Sequence, residues 1–441
     1  MKIKNAALVC FLTAGLALAA ACTKAADRIG AGPYSAVSPD GSLEISLALA
    51  SKPQPYLPGE RLYYRVAFKG APVLDDSPLG LDLLGAPALD RDFEVLEVKK
   101  RSEDSRWENA FGARRIVPDK YNETVVALRE KAAPGRRLDV VLRAYDEGVA
   151  FRCVLPEQEA LTEFTIAAET TGFWFAADGF AYALDMGRLN THNEGEYARR
   201  PLAGIKPASI INLPLLVEMP GAAGGGASLW AALLEAGLTD YAGLYVGGVA
   251  GAPNALAAKL SAPPNRRADQ AVFGRTPMST PWRVIMAGTD PGRFIERSDI
   301  VLNLSAPCAI ADTSWIKPGK AAWDWWSGSH ATGVAFKPGM NTATMKHYID
   351  FAARHGFEYM LVDAGWAPMS EDGRIEDILR HRPEVDVPAI IAYGKAKGVA
   401  TLLWVEWRAL DRHMDEAMAL YEKWGAAGIK VDYMNRDDQD M

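Results

Sequence analysis

The chain has 441 residues, 49% of them hydrophobic, with 48 Lys and Arg against 55 Asp and Glu for a formal charge of -7. That length and apolar content predict more than one domain and a sizeable core. The mild acidity, without any Lys/Arg-rich stretch interleaved with aromatics, excludes nucleic acid and other polyanions as partners.

Residues 1–21 read as an export signal, because Lys2 and Lys4 precede an apolar run from Ala6 to Ala21 that ends in small residues. The mature protein is expected in the periplasm or anchored to the outer membrane of a bacterium. Cleavage before Cys22 would leave a thiol open to lipid attachment, whereas Ala19-Ala20-Ala21 fits ordinary cleavage equally well. Cys10 leaves with the signal, and Cys153 and Cys308 are expected as buried free thiols.

From residue 28 to residue 290 the pattern is that of a large antiparallel β-sandwich. Leu43, Ile45, Leu47 and Leu49 share one face, and Leu138, Val140 and Leu142 oppose Asp139, Val141 and Arg143. Turn signals at Pro39-Asp40-Gly41, Pro58-Gly59, Pro134-Gly135 and Asp146-Glu147-Gly148 separate such runs. The stretch Gly221 to Ala227 reads as a surface hinge or loop, with a tight hairpin as the alternative.

A helical linker over 291–320 follows, and then the period changes. Four apolar runs, Ala321 to Trp326, Tyr359 to Asp363, Ala400 to Val405 and Gly428 to Tyr433, alternate with helical segments at Asn341 to His355, Val387 to Lys397 and Asp411 to Trp424. Strands that are apolar almost throughout, joined by helices, predict parallel βα units buried on both faces. Residues 321–441 thus read as strands one to four of a (β/α)8 TIM barrel. A full barrel needs about 250 residues, and half of one leaves an open edge, so the sequence is expected to be C-terminally truncated.

In such a barrel, side chains at the C-terminal strand ends converge on one mouth. The residues there are Asp324, Asp363, Glu406 and Asp432. Any one of them alone reads equally well as a helix cap. Four in succession are costly as buried anions, and together they favour an active site. Glycoside hydrolysis uses such a pair of carboxyl groups. Among the twelve Trp, those beside the acids, Trp323, Trp325, Trp326, Trp366, Trp404 and Trp407, would supply sugar-stacking walls, with some of them serving as core instead.

Several segments in order resemble glycoside hydrolase family 97. They are Trp315-Ile-Lys-Pro-Gly-Lys320, Trp323-Asp-Trp-Trp326, Tyr359-Met-Leu-Val-Asp363 with Gly365-Trp366, and the run from Gly428 to Gln439. Ala144 to Arg152 and Leu234 to Tyr241 carry the same likeness into the first domain. The resemblance implies a β-super-sandwich before the barrel. It further implies the retaining branch, which includes α-galactosidases, since Lys430-Val431-Asp432 stands where the inverting branch has Gly and the His-His-Glu motif of that branch is absent.

Asp432 is then the nucleophile and Lys430 a ligand of substrate hydroxyls. Glu406 is assigned either to sugar binding or to support of the nucleophile, and Asp363, Asp324, Trp323 and Trp326 to the substrate site. The family's calcium implies Ca2+ here, with Glu194 of Asn193-Glu-Gly-Glu-Tyr197 as a ligand, although Glu194 and Glu196 alone read as ordinary loop acids. The remaining Ca2+ ligands and the catalytic acid are expected beyond Met441, which would leave this chain inactive. The oligosaccharide substrate is expected to be an α-galactoside. An inverting α-glucosidase and a non-catalytic surface glycan-binding protein are the alternatives.

Overall fold

The computed structural model describes residues 32–221, 226–370, 375 and 377–441. The export signal and Cys22 lie outside the described residues, as does most of the glycine-rich stretch from Gly221 to Ala227. The first domain is antiparallel β structure, as the alternation implies. A four-stranded sheet covering residues 34–78 packs on a ten-stranded sheet drawn from residues 93–288, with two three-stranded sheets beside them.

Leu43, Ile45 and Leu47 meet Leu138, Val140 and Leu142 in one buried core between the layers. The outer face of the long sheet is half-covered. There Val141, Trp282 and Val284 pack against Ile300 and Leu304, contributed by a helix at Asp299–Asn303 and the residue that ends it, after an equally short helix at Gly292–Glu296. The helical part of the linker is therefore these two turns, and no helix or strand covers 304–320. Cys153 is buried as expected, but Cys308 is exposed, because it falls in that irregular segment rather than in a packed element.

The second unit has four parallel strands in chain order: β1 (Ala321–Trp323), β2 (Tyr359–Val362), β3 (Ala400–Glu406) and β4 (Gly428–Asp432). Helices α1 (Thr342–His355), α2 (Val387–Ala396) and α3 (Trp407–Trp424) connect them. Met345, Ile349, Ile390, Ile391, Ala417 and Tyr421 bury the inner helical faces against Met360, Val362, Leu403 and Val405 of the sheet. The first strand is shorter than its apolar run. It stops at Trp323, since Asp324 enters a 3-10 turn over Trp325–Ser327 that closes on Gly328 at φ 66°.

Two local signals fix α1. The Asn341 side chain accepts from the Thr344 amide at 2.9 Å, and Gly356 takes φ 66° at the C-terminal end. Helix α3 starts at Trp407, four residues before its periodic stretch, because Glu406 caps it, and non-helical angles at His413 interrupt the pattern.

The segment after β4 returns to the first domain. The Gly243 amide donates to the Asp437 carbonyl at 2.7 Å, and a Cβ on Gly243 would lie 2.7 Å from Asp437 Oδ2. Gln439 exchanges both of its amide groups with the Phe273 backbone, accepting at 2.7 Å and donating at 2.8 Å. Arg266 pairs with Asp440 at 2.8 Å.

Candidate active site

Parallel pairing in register brings the chemistry together. Trp404 lies opposite Lys430 and Glu406 opposite Asp432, while Val362, the residue before Asp363, is paired with Leu403. One ammonium joins two acids at this edge. Lys430 Nζ is 2.9 Å from Asp363 Oδ2 and 3.2 Å from Asp432 Oδ2.

Each partner is further restrained. The Trp404 indole N–H donates to Asp432 Oδ2 at 2.8 Å, and the Tyr433 amide to Asp432 Oδ1 at 2.7 Å. Trp323 Nε1 donates to Asp363 Oδ2 at 2.6 Å, and the Ala364 amide to Asp363 Oδ1 at 2.8 Å. Lys430 Nζ also stands 4.7 Å from the centroid of the Trp323 ring, a cation–π contact.

The electrostatics follow from these contacts. Burial pushes the Asp432 carboxyl up, but the Trp404 indole, the Tyr433 amide and the Lys430 ammonium outweigh it and hold the group below its ordinary range. Lys430 is held above its ordinary value, since the two carboxylates outweigh its partial desolvation. Asp432 is thus an anion over the whole neutral range, with its side chain 36% exposed, whereas that of Asp363 is 3% exposed. The geometry suits a carboxylate that attacks, or electrostatically stabilises, an electron-poor carbon.

The other expected residues fall into different places. Asp324 reaches the same edge but is fully enclosed, where its Oδ2 accepts from the Ser329 hydroxyl at 2.6 Å. Burial raises its carboxyl pKa, the Ser329 hydroxyl and the Asp363 amide oppose that, and the Asp363 charge adds to the rise. Glu406 gives one oxygen to the Ala409 amide at 2.9 Å, as the cap of α3, and the other to Arg408 at 3.3 Å. Trp323, Trp325 and Trp326 form an aromatic platform, with Trp323 stacked on Trp325 at 5.4 Å and on Trp326 at 5.7 Å. Trp326 is 79% exposed, so a large apolar face meets solvent. Trp366 is core, and its indole N–H holds the Trp404 carbonyl at 2.7 Å.

Trp404 as a donor to Asp432 is the contact at this edge that pattern reading missed. Its signal lay in the register of β3 against β4, which no local spacing reveals. Tyr433 at φ 57° is a second such residue, its ring edge-on to Trp404 at 5.5 Å and 5.3 Å from the His192 ring of the first domain.

Glu194 lies in an exposed loop of the first domain and lines a cavity of about 450 Å3 shared with Asn190, His192 and Asn435. Tyr245 ties that loop to the segment after β4. Its hydroxyl donates to Asn193 Oδ1 at 3.1 Å, and burial together with the Asp437 charge raises its pKa. Among the described residues, no three His, Cys, Asp or Glu side chains converge to hold an ion. Glu194 is thus the charged oxygen ligand that this loop offers, beside the Asn190 side-chain oxygen, which is buried without a hydrogen-bond partner.

Residues 36–307 match the family pattern described as Glycosyl-hydrolase 97 N-terminal, and residues 323–441 match Glycoside hydrolase 97. A retaining alpha-galactosidase from Bacteroides thetaiotaomicron is 28% identical, over 92% of this chain and 61% of its own length. A probable retaining alpha-galactosidase from Streptomyces bingchenggensis is 29% identical, over 86% and 55%. The chain thus spans about 60% of the length of these relatives or less. Among solved structures, a family 97 enzyme from Pseudoalteromonas sp. strain K8 in complex with acarbose superposes with a TM-score of 0.78 at 28% identity, covering 92% of this chain and 59% of that one. A beta-arabinopyranosidase shares the fold with a TM-score of 0.73 at 22% identity, covering 92% and 63%.

Proposed function

The chain belongs to glycoside hydrolase family 97, and on that premise we propose that it acts on α-linked galactosides by retention, with Asp432 as the nucleophile. The observation that carries this reading is the Asp432 carboxylate, held ionised at the end of β4 by Trp404, Tyr433 and Lys430. The two relatives described above are named a retaining and a probable retaining alpha-galactosidase.

In this reading an Asp432 oxygen attacks the anomeric carbon as the bond to the leaving group breaks, and water later releases the sugar with its original configuration. Lys430 and the Trp323–Trp326 platform bind and orient the ring. The acid step finds no donor in this cluster. Asp363 has both oxygens engaged, Asp324 is enclosed and Glu406 caps a helix. The 441 residues by themselves are therefore proposed not to turn over ordinary galactosides.

A substrate whose leaving group needs no protonation tests the nucleophile separately. Incubation with a 5-fluoro-α-galactosyl fluoride should expel fluoride and leave the sugar on the Asp432 peptide, as read by mass spectrometry. An unlabelled protein, or a label on another residue, removes Asp432 from the role. The second reading is an inverting α-glucosidase, whose substrate class, but not its stereochemistry, is consistent with the solved family 97 complexes with acarbose and panose, and in that case too Asp432 stays unlabelled.

Calcium enters this proposal through Glu194, as one ligand of the ion. Calcium titration with and without Glu194→Gln checks it by calorimetry. Export belongs to the same proposal, with either lipid attachment at Cys22 or ordinary cleavage after Ala21, and the mass of the mature N-terminal peptide separates the two.

A further inference from the structure

A second cavity of about 370 Å3 opens in the first domain, within the range of about 300–1,000 Å3 typical of small-molecule sites. It shares no lining residue with the strand-end cluster. Tyr56, from the turn between strands Leu43–Ser51 and Glu60–Phe68, stacks on Trp174 at 4.3 Å and 18°. Tyr63 meets Tyr56 edge-on at 5.3 Å and 83°, completing an aromatic corner. Gly172 leaves room for this arrangement, because a Cβ there would lie 2.8 Å from Trp174 Nε1 and 3.0 Å from Pro78.

The polar part of the lining is unusual for a structural cavity. The Tyr63 and Thr170 hydroxyls are both buried without a hydrogen-bond partner, a state that native interiors avoid unless a water or a ligand satisfies it. Arg61 and Asp90 form an ion pair at the wall, with side chains 7% and 6% exposed. That pairing engages both buried charges of the lining, and Asp90 is bound by Arg91 as well, at 2.8 Å. Flat rings beside unsatisfied hydroxyls and a paired guanidinium match an uncharged, hydroxyl-rich ring compound.

We infer that this cavity is a non-catalytic binding site for a single neutral pyranose unit, remote from Asp432. The existence of the site stands on its lining alone. The choice of a sugar over another neutral polyol rests on the glycosidase reading above.

Titration with methyl α-galactoside and methyl α-glucoside, followed by saturation-transfer NMR and calorimetry, tests it on the whole chain. Trp174→Ala should weaken binding about tenfold or more, and Tyr63→Phe about threefold to tenfold, while Trp323→Ala at the strand ends leaves this event unchanged. Tyr63→Phe removes one oxygen only, and an unchanged melting temperature shows that its effect is not unfolding. Binding that survives both Trp174→Ala and Tyr63→Phe, binding lost only with Trp323→Ala, or a cavity that takes up water alone overturns the inference. Labelling of Asp432 by the galactosyl fluoride is indifferent to Trp174→Ala and Tyr63→Phe, so either proposal can fail without the other.

Discussion

One ammonium group serves two carboxylates in the strand-end cluster, and the two depend on it unequally. Asp363 is enclosed, and without Lys430 it keeps only the Trp323 and Ala364 donors. Lys430→Met should therefore cost about 1–3 kcal/mol of stability, read from urea unfolding. The stability that Lys430 contributes is fully present below its unfolded pKa and fades as the pH rises through its raised folded value. Asp432 has the opposite sign. Its lowered pKa stabilises the fold above the ordinary carboxylate range, and this is lost as the pH falls through the folded value. Trp404→Phe removes one donor from Asp432, so its carboxyl should titrate at a higher pH than in the parent, as measured by carbon NMR of the side chain. A titration that does not move would show that the indole has no electrostatic hold on Asp432.

At the scale of single elements, caps decide where the βα units begin and end. Asn341→Ala removes the acceptor for the Thr344 amide and should cost about 1 kcal/mol, seen as a lower urea midpoint with an unchanged slope. Much of this level was legible in the sequence. The runs Tyr359 to Asp363 and Gly428 to Tyr433 become β2 and β4 with little change at either end, because the first is apolar up to Asp363 and in the second Ile429 and Val431 alternate with Lys430 and Asp432 at the period of a strand. Helix α1 was equally plain, since Asn341 and Gly356 bracket a periodic stretch. The first apolar run misled, because Trp325 and Trp326 look like continuing strand, yet the chain turns at Asp324 and leaves them exposed. Glu406 was ambiguous for a different reason: a strand-end acid and a helix-capping acid occupy the same position, and only the Ala409 contact separates them. The pairing of Trp404 with Asp432 crosses between strands, and one sequence carries no record of register.

Across the whole molecule, the first domain supports the strand-end site from below. Arg283, 1% exposed, is bonded to Glu169 and Glu235, and Tyr241 donates to Glu169 at 2.9 Å. Glu235 in turn accepts from the Leu244 amide at 3.2 Å, next to the Gly243 contact with Asp437. Burial raises the Glu235 carboxyl pKa against the pull of Arg283. Arg283→Met strands two enclosed acids and should cost about 3–5 kcal/mol. The deficit should shrink as the pH falls and Glu235, whose carboxyl burial already raises, takes up a proton, which urea unfolding at pH 8 and pH 5 compares directly. An equal deficit at both values would mean that lost packing, rather than stranded charge, sets the cost.

The clasp made by Gln439 also bears on the order of events when the chain folds. Its bonds reach back 166 positions to Phe273 and 199 positions to Asp240. Closing loops of that size is entropically slow compared with local hairpins and helices. The turn at Tyr433, one residue from Asp432, thus receives its final shape only after the first domain has matured to accept the clasp. A refolding experiment that follows Trp404 emission near Asp432 should consequently show a phase lagging behind the recovery of backbone ellipticity.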